Sequence, residues 1–121
     1  MKISKHFARK ELLCKCGREE CDAPTVADPD FLTALEVVRK ACGFKFIINS
    51  WARCKFWNKK QGGAASSYHL QALAVDISCT NSAHRAKIVY ELLKHGFSVV
   101  VYSRWIHADR RPVQILLWGE M

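Results

Sequence analysis

Ser66–Ser67–Tyr68–His69–Leu70–Gln71–Ala72–Leu73–Ala74–Val75–Asp76 is the stretch around which this 121-residue chain is organised. A loop rich in small residues, 61–67, leads into His69. Seven residues later Asp76 sits in the run Ala74–Val75–Asp76–Ile77–Ser78. Its alternation has the period of a half-buried strand. It puts Leu73, Val75 and Ile77 on one face and Ala74, Asp76 and Ser78 on the other. A carboxylate among small residues on a strand face marks the floor of a cleft.

A second histidine, His107, falls in another strand-like run, Trp105–Ile106–His107–Ala108–Asp109. Trp105, His107 and Asp109 share one face, with neighbours about 6.5–7 Å apart. A histidine taken alone is more often a structural residue than a ligand. Two imidazoles and a carboxylate together (His69, His107 and Asp76) are the donor set of a catalytic zinc whose fourth position stays open.

The remaining chain reads outward from these runs. Residues 1–27 read as an irregular, cysteine-containing arm, anchored by His6–Phe7 and Leu12–Leu13. Asp28 is a helix N-cap with Pro29 at the first helical position. Phe31, Leu32, Leu35, Val38 and Ala41 keep helical spacing, and Gly43 ends the helix. Phe44 to Asn49 reads as a strand, Ser50 to Cys54 as a turn, and 55–60 as a short helix with Phe56 or Trp57 packed inward. Asn81 or Ser82 caps a second long helix with an apolar stripe of Ile88, Val89, Leu92 and Leu93, closed by Gly96. Strands follow at Phe97–Tyr102, Trp105–Asp109 and Val113–Trp118, with Arg110–Arg111–Pro112 turning the chain. The expectation is one α+β domain over 1–121, with a small antiparallel sheet carrying the metal site and two main helices flanking it.

Composition bounds the partners. Half the residues are apolar and a quarter are charged, as in ordinary globular domains. No apolar run approaches the roughly 20 residues of a membrane span, and the N-terminus lacks the apolar core of a signal peptide. Synthesis in the cytoplasm is expected. The net charge of +8 favours polyanions, but the basic residues are scattered, which argues against nucleic acid. The six cysteines lie at 14, 16, 21, 42, 54 and 79. Without a secretory signal they are expected to be mostly reduced. Cys14, Cys16 and Cys21 can be read as three ligands of a structural zinc, as plain thiols, or as partners in a bridge to Cys54. The sequence leaves these alternatives open.

Taken together, the pattern Ser67-x-His69, Ala74-x-Asp76 and His107-x-Asp109 resembles the zinc D-alanyl-D-alanine carboxypeptidases and phage endolysin peptidases. Their fold is shared with lysostaphin-type peptidases and the hedgehog signalling domain. Ser50–Trp51–Ala52–Arg53–Cys54, then Asn58 and Gly62–Gly63, is similar to the Ser-Gly-Tyr-Arg…Asn…Gly-Gly stretch of that family. His6–Phe7…Glu11…Cys14–Lys15–Cys16–Gly17 resembles the opening of its small phage members. The resemblance implies a monomeric zinc metallopeptidase that hydrolyses D-Ala-containing peptidoglycan peptides, as carboxypeptidase or endopeptidase, and acts at the cell wall after release. It implies one catalytic zinc on His69, Asp76 and His107, Arg53 polarising or binding the substrate carbonyl or carboxylate, and Ser67 at the substrate.

The chain also departs from the pattern. Many relatives carry a glutamate three residues before the last ligand, where this chain has Arg104; Asp109 is the candidate base in its place, or a residue that orients a histidine. Ala72 stands where the family has glycine, and Trp51–Ala52 replaces Gly-Tyr, which suggests a reshaped pocket. The missing glutamate also motivates a second reading, an inactive zinc-binding module that binds wall peptide or a protein partner. A basic nucleic-acid-binding protein with a cysteine-held zinc is the third.

Overall fold

A computed structural model describes residues 1–119. The helices are α1 (Arg9–Leu12), α2 (Pro29–Cys42), α3 (Lys55–Lys60) and α4 (Ser82–Lys94). The strands are β1 (Ile47–Ser50), β2 (Ala74–Ser78), β3 (Ser98–Val101), β4 (Trp105–Asp109) and β5 (Leu116–Trp118). They form one sheet in the order β1-β2-β4-β3-β5. The first four pair antiparallel, as expected, but β5 runs parallel to β3. The parallel strand follows from the connection after β4, which passes β3 and enters the sheet beyond it.

Local chemistry sets the two long helices. The Asp28 carboxylate accepts the Phe31 N–H at 2.9 Å and Pro29 opens α2, while Gly43 closes it with φ +75°. Asn81 caps α4 through the His84 N–H at 2.9 Å. Both helices bury their apolar stripes, Phe31, Leu35 and Val38 from α2 and Ile88 and Leu92 from α4, together with Val75 and Ile77 of β2. Each large apolar side chain buried this way contributes about 1.5–3 kcal/mol.

The arm is more ordered than expected. Phe7 and Leu12 are fully buried, and α1 forms between them. Glu11 is the reason: its carboxylate accepts the Ala8 N–H at 2.8 Å and the Ile48 N–H at 3.3 Å, capping α1 and tying it to β1. His6 is half-buried against Glu36 of α2. In α3 neither aromatic is the inward residue: Phe56 is exposed and Trp57 half-buried, and Asn58 is buried instead. The strand expected from Phe44 begins at Ile47. The last strand is confined to Leu116–Trp118, and just upstream the Ser98 hydroxyl accepts the Ile115 N–H at 2.8 Å.

Trp51 is not a pocket residue. It is fully buried, 6.0 Å from the rings of both Phe7 and Phe31, and its indole N–H donates to the Ala72 carbonyl at 3.0 Å. Ala72 holds φ +58°, the left-handed region in which glycine is unstrained. This conformation turns the chain between His69 and β2.

Candidate active site

Sheet register builds the site. Asp76 on β2 lies directly opposite His107 on β4. On its other side β2 meets β1, where a register shift between Ile48 and Ser50 sets Ser50 against Asp76. His69 arrives from the 3-10 turn Tyr68–Gln71, whose cap is Ser67; the Ser67 Oγ accepts the His69 N–H at 3.2 Å. The three side chains expected as metal ligands thus meet at the floor of an open cleft of about 350 Å³. One donor atom from each of His69, Asp76 and His107 lies within 4.8 Å of the others.

The hydrogen-bond network assigns each ring nitrogen. The His69 Nδ1–H donates to the Trp51 carbonyl at 2.7 Å, which leaves the Nε2 lone pair facing Asp76 Oδ1 at 3.2 Å. The His107 Nε2–H donates to Asp109 Oδ2 at 2.7 Å, and its Nδ1 faces the same Asp76 oxygen at 3.1 Å. With both imidazoles neutral, three lone pairs converge on one small space. A proton on one ring or a bound cation relieves that repulsion, and the donor set fits a divalent metal, with both rings oriented by partners behind them.

The charges agree. Burial alone would raise the Asp76 carboxyl, but His107 and His69 outweigh it and hold Asp76 well below the usual carboxylate range. Burial opposes a charge on His107, yet Asp109 and Asp76 shift that imidazole upward. Asp109 would likewise rise on burial, and instead Arg111 and His107 hold it well below its ordinary value.

Arg53 is buried beside this group. Its Nε–H donates to Ser50 Oγ at 2.9 Å, Nη1 to Asn58 Oδ1 at 3.2 Å and Nη2 to Asp76 Oδ2 at 2.9 Å. A guanidinium has five N–H donors, so one N–H on each Nη is left for a ligand. Burial lowers its pKa against the pull of Asp76. Asn58 is held in turn through its amide N–H to the Ala64 carbonyl at 2.8 Å.

Sequence reading missed Arg111, taken as part of a turn. It lines the cleft and forks onto Asp109, with Nε–Oδ1 at 2.8 Å and Nη2–Oδ2 at 2.6 Å. The Asp109-x-Arg111 spacing was the available signal. Asn58 was matched to the family pattern but given no role. Tyr102 and Trp105, stacked at 4.4 Å, form an aromatic wall of the cleft. Arg104 is exposed and engages the fold through its carbonyl, which accepts the Cys79 N–H. Among the described residues lining the cleft, the carboxylates are Asp76 and Asp109, and both are already hydrogen-bonded.

No curated protein matches the chain. A family model described as Peptidase M15 matches residues 5–109, a span that runs from the arm through His69, Asp76 and His107 to Asp109. With most of its length matched and its candidate metal donors inside the match, the chain belongs to the Peptidase M15 family of zinc-dependent metallopeptidases.

Proposed function

We propose that His69, Asp76 and His107 hold one catalytic zinc and that the chain hydrolyses D-Ala-containing peptidoglycan peptides, as carboxypeptidase or endopeptidase, at the cell wall. The observation that carries this reading is the convergence of His69 Nε2, Asp76 Oδ1 and His107 Nδ1 on one point in an open cleft. When bound, zinc supplies Lewis acidity, enough to bring the pKa of water from about 15.7 to near 7.

The chain's own groups do the rest. Trp51 and Asp109 fix the two imidazoles so that neither has to reorient during turnover. Arg53 presents its two remaining N–H groups to a substrate carbonyl or terminal carboxylate. Arg111, 5.8 Å over the Tyr68 ring and paired with Asp109, has its Nη1 group left to meet a substrate at the rim. Two guanidiniums suit a peptide with a free carboxylate. The Ser67 hydroxyl, while accepting from His69, keeps its own O–H to donate to substrate. Asp109 serves as the residue that orients His107, since both its oxygens are engaged.

A second reading, a metal-holding module that binds wall peptide without cutting it, is favoured by two observations: the cleft carboxylates are both engaged, and Arg104 stands where the resembled pattern has glutamate. Purified peptidoglycan fragments separate the two. The enzyme reading expects new amine termini and loss of activity in His69→Ala; saturable binding with no new termini from zinc-loaded protein would establish the module.

A further inference from the structure

We propose that Cys14, Cys16, Cys21 and Cys54 hold a second, structural zinc ion that clamps the N-terminal arm to the rim of the cleft. This site is separate from the histidine site and does not depend on the reading given to it. Cys54 is 33 residues beyond Cys21 in sequence, and the fold brings it to the other three.

Sulfur spacing is the first support. One Sγ from each of the four cysteines lies within 4.8 Å of the others, and Cys14 Sγ to Cys54 Sγ is 3.7 Å. A tetrahedral site with metal–sulfur bonds of about 2.3 Å has sulfur–sulfur edges of about 3.8 Å. A disulfide needs about 2.05 Å, and all four cysteines are free. The remaining pair, Cys42 and Cys79, is buried elsewhere in the core.

The donors around the sulfurs are the second. Backbone N–H groups point at three of them: Cys54 N–H to Cys14 Sγ at 3.3 Å, Arg18 N–H to Cys16 Sγ at 3.4 Å, and Trp57 N–H to Cys54 Sγ at 3.4 Å. Amides aimed at sulfur stabilise the thiolate over the thiol and orient metal ligands. Four thiolates around one divalent ion leave a net charge of −2, and the adjoining cavity is lined by Arg18 and Lys55 together with Glu20 and Asp22.

The third support is what the arm otherwise lacks. Between Leu12 and Phe31 no side chain is fully buried in the apolar core, and residues 13–28 contain neither helix nor strand. A segment without a core is held by a staple, and a metal supplies one. As each sulfur–zinc bond forms, the thiol gives its proton to solvent. Tetrahedral sulfur ligation selects zinc among abundant divalent ions. Cys54 also directly follows Arg53, and its carbonyl accepts the Asn58 N–H, so the clamp would brace the frame that holds the guanidinium.

The test is zinc per chain, by mass spectrometry, on protein purified under reductant without chelator. The expected values are about two for wild type, and about one for His69→Ala and for Cys16→Ser/Cys21→Ser. His69→Ala, which keeps all four cysteines, guards against a cysteine variant that does not fold. Loaded with cobalt(II), it should show the intense near-ultraviolet thiolate-to-cobalt band, and a mercurial reagent should release its metal. A zinc-free His69→Ala protein with no such band, or a disulfide within the cluster, would overturn the proposal. One zinc in both wild type and His69→Ala would uphold the cysteine site and reject the histidine site.

Discussion

The His107 imidazole donates through Nε2 to Asp109 Oδ2 at 2.7 Å, while Arg111 grips both oxygens of that buried carboxylate. A carboxylate held this way orients its histidine and has no free lone pair aimed into the cleft.

The behaviour of Asp109→Ala follows from that geometry. Loss of a partner behind a ligating histidine costs about 10–100-fold in metal affinity or activity. Zinc affinity, measured by competition with a chromophoric chelator, should fall together with kcat. Unchanged affinity with kcat abolished would instead make Asp109 the base.

Arg53 and Asp76 form a buried ion pair at 2.9 Å, each residue 8% exposed. Removing one partner of such a pair leaves the other charge uncompensated, at about 3–5 kcal/mol. Arg53→Ala should therefore lower the urea-unfolding free energy of the metal-free protein by about that amount. Arg53→Lys should recover part of the stability but not hydrolysis, because an ammonium cannot reach Ser50, Asn58 and Asp76 together.

Gly63 is required by its neighbour. A Cβ there would lie 2.1 Å from Asn58 Oδ1 and 3.1 Å from Arg53 Nη1. Asn58 is buried and hydrogen-bonded on both sides, so it cannot yield cheaply. Gly63→Ala should cost about 1–3 kcal/mol in thermal or urea unfolding and should reduce peptide hydrolysis by displacing Arg53. Gly62→Ala, where nothing lies within 4 Å but φ is +75°, should cost about 1 kcal/mol and spare the Asn58–Arg53 contact.

Stability should also depend on pH through Glu36. Burial would raise this carboxyl, but the Ser4 hydroxyl and the His6 side chain and backbone lower it below its ordinary value. A lowered folded pKa means that the stabilisation is present above the ordinary carboxylate pKa and is lost as pH falls through the folded value. Glu36→Gln should therefore unfold at lower urea near neutral pH, by about 1 kcal/mol. The two proteins should converge once pH falls below the folded value of that carboxyl. A constant difference across that range would show that packing, not charge, is lost.

Much of the fold was legible because its signals are local. The Asp28–Pro29 and Asn81 caps, Gly43, the stripes of α2 and α4 and the alternation of β2 and β4 each involve residues within a few positions of one another. The errors came where distant partners intervene. The two oxygens of Glu11 serve Ala8 and Ile48, so an apparently shapeless arm contains α1. Trp51 faces the aromatic core because Phe7 and Phe31 are there to receive it. Asn58 outranks its aromatic neighbours because Arg53 needs an acceptor.

Local sequence settled most element types, the caps of the two long helices and the residue types able to hold a metal, since backbone capping and side-chain periodicity are written in adjacent positions. Only the tertiary structure decided which of them meet. Register places Asp76 opposite His107, and the turn at Ala72 returns His69 to the carbonyl of Trp51. The chain's path brings Cys54 to Cys14, Cys16 and Cys21 across 33 residues or more. Such contacts depend on how all the apolar faces bury at once, a property of the whole chain and of no single stretch in it.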